Sequence, residues 1–89
     1  MIHEDVVIVN AMGLHARAAA RFVQVASRYH SRIQVSRDGS TADGKSILSL
    51  LALIGSTGTR LTIAAEGPDA VDAVRALCAL VAARFGEAQ

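Results

Sequence analysis

Two incompatible periodicities take turns along these 89 residues, and their order narrows the fold more than any other feature. Ile33 and Val35 alternate with Arg32, Gln34 and Ser36, as in a half-buried strand. Leu61, Ile63 and Ala65 repeat that alternation, and Val6 to Val9 is a β-branched run of strand type. Asn10-Ala11-Met12-Gly13 ends the first run. Asp38-Gly39 is a turn signal that folds the chain back into a short strand over Ser40 to Asp43. Helical spacing lies between these pieces. Ala16, Ala19, Ala20, Val23 and Ala26 mark a helix from Ala16 to about Ser27. Ser46 reads as the N-cap of a second helix, Ile47 to Ile54, followed by a Gly55–Gly58 loop. Gly67-Pro68-Asp69 opens a third helix, with proline in its first turn and Gly86 as its stop. Val71, Val74, Cys78, Val81 and Phe85 give that helix one buried stripe. The order is βαββαβα. Pattern alone first suggests a split βαβ, ferredoxin-like sheet with an added helix, and leaves the strand order open.

This length allows one small domain, residues 1–89, around one core. Aromatic content is only 3%, so Ala, Val, Leu and Ile must build that core. A net charge of +1 argues against a dedicated nucleic-acid binder. The start, Met1-Ile2-His3-Glu4-Asp5, lacks the basic and apolar run of a signal peptide. No apolar segment is long enough for membrane insertion. One cysteine, Cys78, excludes an internal disulfide. Together these lead us to expect a cytoplasmic setting.

Gly13-Leu14-His15-Ala16-Arg17 places a histidine where a strand pattern stops and a helix pattern begins. A helix start offers unpaired backbone N–H groups, here those of Ala16, Arg17 and Ala18, and a partial positive charge that favours anions. An imidazole there is suited to accept a phosphoryl group. The Arg17 guanidinium could add a charge-assisted hydrogen bond to it. Gly13 lets the backbone turn tightly before the helix. The residues alone also admit a plainer reading, in which His15 only caps the helix and Arg17 is solvated.

The chain resembles the histidine-containing phosphocarrier protein (HPr) family of the bacterial phosphotransferase system. The resemblance rests on Gly13-Leu14-His15-Ala16-Arg17, on Lys45-Ser46-Ile47 and on the element order, and it covers the whole length. It implies an α+β open-faced sandwich: a four-stranded antiparallel sheet, order 1-4-2-3, with three helices on one face. It further implies that His15 takes a phosphoryl group on Nδ1 from Enzyme I and passes it to an enzyme IIA, with Arg17 assisting. Ser46 would be a regulatory site for an HPr kinase/phosphorylase. On this basis the chain is a carrier, not a turnover enzyme, and needs no cofactor or metal. Where the commonest family motif has proline after the arginine, this chain has Ala18. That departure resembles the nitrogen-regulatory branch (NPr) and keeps open a regulatory adaptor whose phosphorylation state controls partner binding.

The second helix is apolar nearly all round. Leu50, Leu53 and Ile54 share one arc; Ile47, Leu48 and Leu51 share another. Either both are buried, or the second arc is an exposed docking patch. The resemblance favours docking at Ile47, Leu48 and Leu51, and we expect Leu14, Arg21 and Gln24 to complete that surface. Arg17, Arg21, Gln24 and Arg28 form a polar stripe suited to steering an acidic partner. A phosphate on Ser46 would then oppose such a partner while the helix start tolerates it. We expect a monomer. Gly39–Ser46 matches the P-loop string G-x-x-x-x-G-K-S, but its first glycine belongs to the Asp38-Gly39 turn and the preceding segment alternates like a hairpin strand. Cys78, Phe22 and Tyr29 are read as packing residues, and His3 and His30 lack partners at metal-ligand spacing.

Overall fold

Strand register explains why this chain builds a one-sided sheet. The computed structural model describes residues 1–53 and 58–89. It contains β1 (Ile2–Val7), α1 (Ala16–Ala26), β2 (Arg32–Arg37), β3 (Ser40–Asp43), α2 (Ile47–Leu53), β4 (Arg60–Glu66) and α3 (Ala70–Ala82). The strands form one antiparallel sheet in the order β1-β4-β2-β3. Val35 stands opposite Ile63 on one side and Ala42 on the other, and Ile33 stands opposite Ala65. Because side chains alternate along a strand, these registers put the buried apolar residues on one face. Gln34, opposite Ala64 and Asp43, occupies the other face with Thr62 and Ser36. There Thr62 Oγ1 donates to Asp5 Oδ1 across the β1–β4 pair at 2.7 Å.

The helices cover the apolar face. α3 packs on β1 and β4, α2 on β3 and β2, and α1 bridges to both other helices. The core joins Ala18, Ala19 and Phe22 of α1, Leu50 and Leu53 of α2, and Ala73, Val74 and Leu77 of α3 to Val35, Leu61 and Ile63 of the sheet. The small alanines let helix and sheet approach closely, which is how so few aromatics suffice. The four-stranded 1-4-2-3 sandwich implied by the family resemblance is what the chain forms, with the order βαββαβα. The hairpin turn holds Asp38 and Gly39 at φ 49° and 85°, the left-handed geometry that a two-residue connection requires. It links antiparallel strands, so Gly39–Ser46 is no P-loop.

Three details differ from the sequence reading. β1 runs over Ile2–Val7, not Val6–Val9, because an edge strand open to solvent tolerates His3, Glu4 and Asp5. α1 buries Ala18, Ala19, Phe22 and Ala26, whereas Ala16 is exposed. α3 begins at Ala70, beyond Pro68, and buries Ala70, Ala73, Val74, Leu77 and Val81. Val71 is 50% exposed, and Cys78 sits half-buried beside the stripe, in a groove with Ile2, Val6 and Val71. Burial there, helped by the nearby Glu4 charge, pushes the thiol pKa up and keeps it protonated. Phe85 is fully buried but lies past the helix, at φ 54°. Ile54 and the loop residues 55–57 of the sequence reading fall outside the described residues.

Candidate functional site

The loop between β1 and α1 is closed by Asn10. Its Nδ2 donates to Gly13 O at 2.7 Å, and Gly13 N donates back to Asn10 O at 3.1 Å. Gly13 turns at φ 68°, a conformation costly for a residue with a Cβ. The chain then extends at His15 (φ −107°, ψ 179°), whose carbonyl accepts the helical bond from Ala19 N at 2.8 Å. His15 is therefore the N-cap of α1, with its ring at the positive end of the helix dipole.

Both ring nitrogens are engaged. Arg17 N donates to Nδ1 at 3.3 Å, a long contact that the amide can exchange for a stronger acceptor. Nε2 lies 2.5 Å from Oε2 of Glu87. A carboxylate only accepts, and a backbone N–H only donates. Both contacts therefore select the same neutral tautomer: the proton on Nε2 and the lone pair on Nδ1. The His15 side chain is 21% exposed and that of Glu87 11%, so the ring is partly covered yet reachable.

Glu87 is itself held. Asn10 Nδ2 donates to Oε1 at 2.9 Å, so one buried amide ties the helix entry to the chain's end. Partial burial alone would raise this carboxyl's pKa. The hydrogen bonds from Asn10 and His15, with the charges of His15 and Arg17, outweigh that and lower it. Glu87 reaches the ring because the chain reverses hand after α3. Arg84, Phe85 and Gly86 have φ of 60°, 54° and 82°. Left-handed geometry costs roughly 1–2 kcal/mol for each residue with a Cβ. Burying the Phe85 side chain returns about 1.5–3 kcal/mol, which offsets much of that cost for Arg84 and Phe85. Arg21 Nη1 donates to Phe85 O and clamps it from α1.

The expected site residues fare differently. His15 and the start of α1 come together as read from the sequence, and Arg17 is exposed beside them. Of the amides expected for phosphate, that of Arg17 already faces Nδ1; Ala16 is exposed and Ala18 is fully buried. Leu14 is only 6% exposed and belongs to the core, so its place in a docking surface is corrected. Its side chain follows Gly13 inward, while that of His15 stays at the rim. Arg21 is not simply solvated, because it holds Phe85 O. Gln24 is exposed.

At α2, Ser46 Oγ accepts from Ser49 N at 3.2 Å, the cap read from the sequence. Leu50 and Leu53 are buried, Leu48 is 81% exposed and Ile47 39%, and Leu51 is half-buried. The helix is therefore not fully buried: its second arc faces out, and only Leu51 is shared with the core. Sequence reasoning missed Asn10 and Glu87. Asn10 looked like a turn residue, and Glu87 gave no signal beyond following Gly86. Among the described residues, no group of three or more His, Cys, Asp or Glu side chains is placed to hold a metal ion. No described helix is long and apolar enough to cross a membrane.

A family model described as the PTS HPr component phosphorylation site matches residues 2–83. The chain is 42% identical over 89 residues to the phosphocarrier protein HPr of Cupriavidus necator, covering 100% of both. Its structure is similar to that of HPr-C-His from Thermoanaerobacter tengcongensis, with TM-score 0.95, 40% identity and complete coverage of both chains. It is also similar to an HPr dimer from the same organism, with TM-score 0.78 and 44% identity over 90% of this chain and 92% of that one.

Proposed function

The chain belongs to the HPr phosphocarrier family of the phosphotransferase system, as a carrier and not an enzyme, and we propose that it carries its phosphoryl group on Nδ1 of His15. The observation that supports this most is the tautomer: with the proton on Nε2, Nδ1 carries the lone pair, which accepts only the long contact from the amide of Arg17. A phosphoryl group bonded there meets the Arg17 N–H and the helix dipole as soon as it arrives. The exposed Arg17 side chain can swing onto its oxygens. The amide of Ala16, exposed at the same helix start, adds to the positive rim; that of buried Ala18 stays behind it. Transfer needs no metal or cofactor from this chain.

In this reading residues 1–89 form one cytoplasmic, monomeric carrier domain. Enzyme I is the donor and an enzyme IIA the acceptor. Ile47, Leu48 and Leu51 dock both, and Gln24 and Arg17 steer them; Arg21 contributes charge from its clamped position. Ser46 is the regulatory site, open to an HPr kinase/phosphorylase where the host has one. A phosphate there adds about −1.5 to −2 charges beside the docking arc.

Incubation with phosphoenolpyruvate and Enzyme I tests the reading. The expected product is one acid-labile, base-stable phosphate, discharged on adding an enzyme IIA. His15→Ala should take no label. An alanine variant labelled as fast as wild type would refute the assignment to His15. Sedimentation would show a single monomeric species, and a dimer there would overturn that part alone.

A further inference from the structure

The end of the chain is built in a way that α3 does not require. The helix is complete at Ala82, yet Arg84, Phe85 and Gly86 follow in left-handed geometry. Phe85 is sunk completely in the core and Arg21 grips its carbonyl. Gly86 N and Glu87 N donate to Ala83 O and Arg84 O, which closes the turn. Strained backbone persists only where its surroundings over-determine it, and it concentrates at functional sites. This turn delivers one group: the Glu87 carboxylate, with Oε2 on His15 Nε2 and Oε1 on Asn10 Nδ2.

We propose that Glu87, held by Asn10 and by the left-handed Arg84–Gly86 turn, is the positioning residue that keeps the His15 proton on Nε2 before and after phosphoryl transfer. This rests on the His15 carrier reading above. In the forward step the Nδ1 lone pair forms the new N–P bond while the P–N bond of a phosphohistidine donor breaks. The donor nitrogen keeps the bonding pair. No proton needs to move: His15 retains the one on Nε2, and the product ring becomes a phosphoimidazolium. A neutral ring gains a positive charge in that step, and the carboxylate already in contact stabilises it. When the group leaves, the ring returns to the same tautomer, ready for the next cycle.

The carboxylate thus does two separable things. As an acceptor it selects the tautomer; as an anion it stabilises the charged product. The ionic groups around it are His15 and Arg17 at the start of α1, Arg21 one turn on and Arg84 in the turn. Three of these are arginines, and the hydrogen bonds donated to Glu87, with the Arg17 charge, hold its carboxyl more acidic than usual.

Glu87→Gln and Glu87→Ala separate the two effects, because glutamine keeps an acceptor oxygen and loses the charge. Ring-nitrogen NMR of the unphosphorylated protein, at a pH where the ring is neutral, reports the tautomer without any transfer. Wild type should be almost wholly Nε2–H. Glu87→Ala should raise the Nδ1–H fraction about fivefold, and Glu87→Gln should restore the wild-type ratio. Initial labelling by phosphorylated Enzyme I should fall about tenfold in both variants, since both lack the charge. The phosphohistidine of both should also outlast wild type at neutral pH, because hydrolysis favours the protonated ring. A Glu87→Ala protein with wild-type tautomer ratio and labelling rate overturns the role of Glu87 and leaves the carrier reading standing. A wild type that takes no label overturns both.

Discussion

Two carboxylates far apart in the sequence are gathered in at opposite ends of α1, and their partners give them different jobs. Glu87 binds side chains 72 and 77 positions away, and one of them is the imidazole of His15. Asp69 receives His30 N and Ser31 N at 2.9 Å and Ser31 Oγ at 2.5 Å. Ser31 Oγ in turn accepts from Asp69 N at 3.2 Å. Asp69 stands at the N-cap position of α3 but caps the loop after α1 instead of its own helix. Both carboxyls are held more acidic than usual by donated hydrogen bonds. A carboxylate facing backbone amides fixes structure. A carboxylate facing the second nitrogen of the imidazole we propose as nucleophile bears on chemistry. The two ends should therefore respond separately to substitution.

The largest effect should come from Gly67, beside Asp69. It sits at φ 146°, and an added Cβ would lie 2.7 Å from Ser31 Cα. Gly67→Ala should lower stability by about 3 kcal/mol or more in denaturant titration, because backbone, not a flexible tip, is in the way. The folded fraction should still be labelled at the wild-type rate. Lost labelling in fully folded protein would show the two ends to be coupled.

Next is acid stability. Asp69 has its pKa lowered from 3.8 to about 2, by the Ser31 hydroxyl first and the His30 amide second. Its contribution is present above 3.8 and is lost as pH falls through about 2, since the unfolded chain binds that proton first. Asp69→Asn should flatten the rise of stability with pH inside that window. Labelling at neutral pH should not change. A variant whose stability still climbs as steeply there would show the cluster to be incidental.

Neither carboxylate's partners were legible in the sequence, whereas the features set by local pattern were. Ser40–Asp43 was legible because the Asp38-Gly39 turn fixes its register with β2. The histidine was legible because a strand-to-helix switch and a glycine flank it. The buried side of α3 was not. Ala70, Ala73 and Leu77 compete with Val71 and Cys78 on a helix apolar nearly all round, and the sheet decides between them. Glu87 was illegible for a different reason. Its position depends on the chain reversing hand at Arg84 and Phe85, residue types with no preference for that geometry.

The smallest stability effect should be at the start of α2. Aspartate caps a helix about as well as serine, so Ser46→Asp should change stability by no more than about 0.5 kcal/mol. Its labelling by Enzyme I should nevertheless slow, because the new charge stands beside Ile47 and Leu48. An unchanged rate would remove Ser46 from regulation and leave only its cap to Ser49.

The imidazole has one nitrogen shielded by Glu87 and one met only by the long contact from the Arg17 amide, and this limits traffic through the molecule. A single open atom cannot serve giver and receiver together, so every turnover contains a parting and a fresh encounter. Flux through such a shuttle is capped by how fast it lets go. An interface that gripped either visitor tightly would throttle the relay, and the exposed aliphatic pair Ile47 and Leu48, which we propose for docking, is of the kind that releases quickly.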